Sequence, residues 1–72
     1  MDRFLRYSLE HRKAIRLIFI DPEGKMRQAS CVVEGMEDGK VSLYMLRPLR
    51  RMTVPREDVL GASYAPGDEG NG

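Results

Sequence analysis

A mainly β fold with one N-terminal helix is what this sequence predicts, and three observations predict it. Residues 2–13 repeat their apolar side chains at helical spacing, whereas every later apolar stretch is of strand length and bounded by turn residues. Two of those boundaries, Asp21-Pro22-Glu23-Gly24-Lys25 and Asp38-Gly39, are hairpin turns. Pro55-Arg56-Glu57-Asp58 adds one helical turn just before the last strand. Helix, three hairpin-linked strands, a fourth strand, a helical turn and a fifth strand form the layout of a small, strongly bent, five-stranded antiparallel β-barrel.

Asp2 is placed to cap the helix. At 100° per residue, Phe4, Leu5, Tyr7, Ser8, Leu9 and His11 share one arc, and Asp2, Arg3, Arg6, Glu10 and Lys13 lie opposite. A helix of about three turns is marginal alone, so its apolar arc must be buried, either on the end of the barrel or on a second subunit. Residues 14–20 are apolar except for Arg16 and read as a strand buried on both faces. In the turn that follows, Pro22 suits the second position and Gly24 a positive φ. Residues 26–34 alternate, with Ala29, Cys31 and Val33 on the core side and Gln28, Ser30, Val32 and Glu34 outside. Gly35 is a candidate bulge.

Asp38-Gly39 then sets a tight hairpin into a third strand, in which Val41, Leu43 and Met45 alternate with Ser42, Tyr44 and Leu46. Arg47-Pro48-Leu49-Arg50 ends that strand, because Pro48 has no N–H to donate to a ladder. Met52 and Val54 point a short fourth strand inward, and residues 59–65 close the fold. One domain therefore spans residues 1–65, and the polar, Gly-rich residues 66–72 read as a disordered tail.

A 72-residue chain buries only roughly 60% of the surface its unfolded form exposes, so its core needs support. A disulfide framework is excluded by a single cysteine, Cys31, and a structural metal is disfavoured by one Cys and one His. Oligomerisation is the remaining common support, which makes a homo-oligomer an expected state. The net charge of +1 gives no global pull toward nucleic acid or anionic lipid, yet residues 41–60 carry four cations against two anions. No apolar run approaches the roughly 18 residues of a membrane span, no signal peptide is visible, and a lone thiol suits a reducing compartment. A cytoplasmic protein without membrane contact or cofactor is the expectation.

Residues 14–65 resemble the Sm-like small barrels, and within them the WYL domain of bacterial regulators. The resemblance is carried by residues 15–19 with the acidic-Gly turn after them, by Gly39-Lys40-Val41-Ser42-Leu43-Tyr44-Met45, and by Arg50-Arg51-Met52-Thr53-Val54 leading to Val59-Leu60. Tyr44 stands where that family has its Trp-Tyr-Leu triplet, with Met45 after it and no Trp in the chain. The resemblance implies the helix-plus-barrel fold and a ligand-binding role.

Arg47, Arg50, Arg51 and Arg56, with Tyr44 beside them, form the strongest chemical feature. Arginine forks match phosphate oxygens bidentately, and basic grooves with an aromatic stacking face bind single strands, so these five residues are the candidate site for nucleic acid or another anionic ligand. The same charges also protect an exposed strand edge from aggregation. A second reading places function on the apolar helix face, with Phe4, Leu5 and Leu9 as an interface for a protein partner or a second copy. His11 has no further ligand at metal-binding spacing, Cys31 falls on a core face, and the carboxylates belong mostly to turns. No catalytic constellation appears, and an enzyme is not expected.

Overall fold

The computed structural model describes residues 2–46 and 49–66. Helix α1 (Asp2–His11) leads into β1 (Ile15–Ile20), β2 (Met26–Glu37), β3 (Lys40–Leu46) and β4 (Leu49–Pro55). A 3-10 turn, η1 (Arg56–Asp58), precedes β5 (Val59–Tyr64). The strands form a single antiparallel sheet in the order β4-β3-β2-β1-β5, so the mainly β class and the order of elements hold.

β4 and β5 lie on opposite edges of that sheet but are joined by three residues. A flat sheet of five strands separates its edges by about 19 Å at 4.8 Å per strand, and η1 covers only about 6 Å. The sheet therefore rolls until its edges approach at one end. The expected strongly bent five-stranded barrel is an open roll, because β4 and β5 are not hydrogen-bonded to each other.

Local sequence explains the turns. Asp38 and Gly39 have φ of 53° and 72° between the paired residues Glu37 and Lys40, the double left-handed geometry of a two-residue hairpin. In the first hairpin the amide of Gly24 donates to the carbonyl of Asp21, and the amide of Asp21 donates to Lys25. The carboxylate of Asp21 accepts the amides of Glu23 and Lys25, each at 2.9 Å, and the Nε of Arg27. Asp21 is thus a buried acid whose bonding is completed by its own turn.

Leu5, Ile15, Leu17, Phe19, Cys31, Val33, Val41, Leu43 and Val54 form the centre of the core. β1 differs from expectation: it alternates, with Ile15, Leu17 and Phe19 buried, Arg16 exposed and Ile18 36% exposed. Its outer face has no layer above it, so only one side of the strand is core. β2 is longer than expected and shifts register between Val33 and Gly35, which brings Met36 opposite Val41. Met36 consequently packs against the core beyond the bulge. Leu49 and Arg50 begin β4 instead of ending β3. The predicted tail falls in residues 67–72, outside the described residues, and Pro66 is its only described member.

The helix is fixed to the sheet through Ser8, which is fully buried. Its hydroxyl accepts the amide of Val33 at 2.8 Å and donates to the carbonyl of Lys13 at 2.7 Å. Replacing Ser8 by Ala strands a buried amide, and removal of one partner from such a group costs about 1–3 kcal/mol. Ser8→Ala should lower the thermal midpoint by roughly 4–8 °C for each kcal/mol lost, with the circular dichroism of the folded state unchanged. An unchanged midpoint would show that the hydroxyl does not hold the helix.

Arg27, and then the amides of Lys25 and Glu23, keep the Asp21 carboxyl below the 3.8 of a free aspartate. A carboxylate depressed in the folded state contributes stability above that value, and the contribution is lost as pH falls through the folded-state pKa. Wild type and Asp21→Asn, compared by denaturant unfolding, should differ in stability above pH 4 and converge as the pH falls below 3.8. A constant gap down to pH 2 would mean that ionised Asp21 has no role.

Candidate anion-binding edge

β4 is an edge strand, and its register places Arg50 opposite Met45 and Arg51 opposite Tyr44. Successive residues of a strand point to opposite faces, so the two arginines flank the edge from both sides. Arg51 stands on the outer face. Its guanidinium carbon lies 4.9 Å from the centre of the Tyr44 ring, and its Nε donates to Oε1 of Glu34 at 3.0 Å. The Arg51 side chain is nonetheless 73% exposed, so the ion pair is solvent-screened and weakly held. Arg50 stands on the inner face with Met45 and Met52, and among the described residues it has no hydrogen-bond or ion-pair partner.

Arg56 is separated from this pair. Its side chain is bonded through Nε and Nη2 to Oδ1 of Asp2, 54 positions away, at the start of α1. Its amide donates to the carbonyl of Gly39 at 2.7 Å, tying η1 to the β2–β3 turn. Arg56 also holds the Asp2 carboxyl below its ordinary range, and an anion at a helix start is further favoured by the dipole. Of the four arginines, the structure brings together Arg50 and Arg51 around Tyr44, directs Arg56 to the helix, and leaves Arg47 outside the described residues.

The helix face is not an open surface. Leu5 is fully buried, Phe4 meets Tyr64 edge-on at 4.8 Å between ring centres, and Leu9 is half-buried beside Val32 and Val33. Tyr7 adds a second edge-on contact with Tyr64 at 5.1 Å. The apolar arc expected as an interface at Phe4, Leu5 and Leu9 is therefore used largely within the subunit. The large apolar side chains exposed among the described residues are Ile18, Met26, Leu49 and Leu60.

Arg27 is the residue that sequence reasoning passed over. Its register position opposite Phe19 puts it on the core side of β2, and it lines the same cleft as Arg50. The alternation that assigned Ala29, Cys31 and Val33 to the core face extends to Arg27, and that was the available signal. His11 is exposed and packs at a tilt on Tyr7. No cluster of three His, Cys, Asp or Glu side chains suited to a metal ion occurs among the described residues. No described helix is long and apolar enough to cross a membrane. No protein-family model, curated protein or solved structure matches the chain.

Cys31 is buried, and burial pushes its thiol up to about 12, far from the range of a nucleophile. Labelling of Cys31 by a disulfide reagent at pH 8 should proceed only through opening of the fold. With the stability of about 5 kcal/mol at the low end for small domains, that makes it roughly a thousandfold or more slower than in denaturant. Labelling within the mixing time would show that the core is open around β2.

Proposed function

We propose that this chain is a non-enzymatic binding module whose β4 edge takes an anionic ligand, with single-stranded nucleic acid foremost. The observation that carries this reading is the pair Arg50 and Arg51, which emerge from opposite faces of one edge strand with the Tyr44 ring beneath Arg51. A phosphodiester running along the edge meets a guanidinium from each side, and a base has the exposed Arg51–Tyr44 stack to lie against. Glu34 competes for Arg51 only across a solvent-screened pair, which a phosphate replaces at little cost. Association with a second copy or another protein is the alternative reading, favoured by the exposed Ile18, Met26 and Leu60 instead of the helix face.

Each phosphate contact to a single strand contributes about −0.7 to the slope of log affinity against log salt. Fluorescence anisotropy with a labelled single-stranded oligonucleotide should therefore show weaker binding for the double variant Arg50→Ala and Arg51→Ala, and a slope shallower by about 1.4. Equal affinity and slope in wild type and variant would remove nucleic acid as the ligand of this edge and leave protein association as the function.

A further inference from the structure

β2 has different neighbours along its two halves. Met26 to Cys31 pair with β1, whereas β3 pairs from Cys31 onward to Glu37. β3 ends at Leu46, one residue beyond the partner of Cys31. On the β3 side, the first residues of β2 therefore have no strand beside them among the described residues, although they lie in the middle of the sheet order.

In an antiparallel ladder each residue turns its N–H and C=O to one neighbour and the next residue turns to the other. Val33 gives its amide to Ser8 and not to its register partner Leu43, which sets the phase. Cys31, Ala29 and Arg27 direct their backbone groups toward β1, and Gln28 and Met26 direct theirs to the open side. Those two residues line a cleft of about 360 Å³. Ala29, Met45 and Met52 form its apolar part, and Arg27 and Arg50 bring a cation from each wall. Arg27 is bonded to Asp21 through Nε but stays 47% exposed.

We propose that this free segment of β2 accepts a short extended peptide as an added strand, with an apolar side chain on Met45 and Met52 and a carboxylate two positions away against Arg50 and Arg27. The backbone of Met26 and Gln28, without a strand partner on this side among the described residues, supplies the ladder; about 13 Å of strand from Met26 to Ser30 sets the length at four or five residues, and the two arginines select an acidic partner. A nucleotide backbone has no row of amides and carbonyls to match this ladder. Both side chains of the peptide lie on the inner face, so the recognised pattern is an apolar residue and an acid separated by one residue.

The test is a titration of the isotopically labelled protein, followed by amide resonances, with acetyl-Thr-Val-Thr-Glu-Thr-amide and with its reverse, acetyl-Thr-Glu-Thr-Val-Thr-amide. Shifts centred on Gln28, Arg50 and Met52 are expected for one of the two, with at least tenfold weaker binding when its Glu is replaced by Gln. Gln28→Pro removes an N–H that faces the cleft and makes no bond to β1, so the variant should fold and keep oligonucleotide affinity while losing the peptide. Absence of shifts with both peptides, or binding unaffected by the Glu-to-Gln peptide, overturns the proposal; so does a folded Gln28→Pro that binds the peptide as wild type. Oligonucleotide binding is measured on the same samples, and its loss with peptide binding intact counts against the β4 edge alone.

Discussion

Ser8 accepts the amide of Val33 and donates to the carbonyl of Lys13, and through these two bonds a helix occupies the place where the sheet has run out of strand. β1 begins at Ile15, opposite Cys31, so the backbone of β2 beyond that point lacks a partner on the β1 side. A buried amide left there would be a standing cost, and the serine removes it. The same bond seats α1 so that Leu5 enters the core and Phe4 and Tyr7 meet Tyr64. Arg12, at φ 54°, turns the chain out of the helix at a position more often occupied by glycine, and the amide of Lys13 closes that turn on the carbonyl of Ser8 at 3.3 Å. Helix, turn and sheet thus converge on one side chain.

What could be read from the sequence was whatever is decided locally. Asp38-Gly39 demands a two-residue hairpin because both positions need a positive φ, and the first turn is dictated by Gly24 at positive φ and by the Asp21 carboxylate that accepts the turn amides. The alternation in β2 and β3 announced Cys31, Val33, Val41, Leu43 and Met45 as core, and all five are buried. β1 misled because Ile18 and Ile20 carry the same apolar chemistry as Leu17 and Phe19, and only the absence of a second layer distinguishes them. Arg56 misled because its partner, Asp2, is at the far end of the chain. The cleft was invisible for a related reason: it depends on where β3 stops pairing with β2, which is a property of register and not of composition.

The arginines of the fourth strand illustrate how pleat divides a run of like charges. Arg50 and Arg51 are neighbours in sequence but face different environments, one against methionines in a concavity and one against a tyrosine and a glutamate on the outside. A basic run on a strand is therefore divided between two faces. The small domain gains two chemically distinct surfaces from a single dipeptide, and its edge is kept from pairing indiscriminately by the charge it carries.

The clasp between Arg56 and Asp2, with the edge-on contacts of Phe4 and Tyr7 with Tyr64, joins the first described element to the last. The helix has its complete seat only with β5 against β1, so its packing depends on residues more than 50 positions away. Such non-local closure raises the contact order and with it the folding barrier, which puts folding in the slower range of small domains.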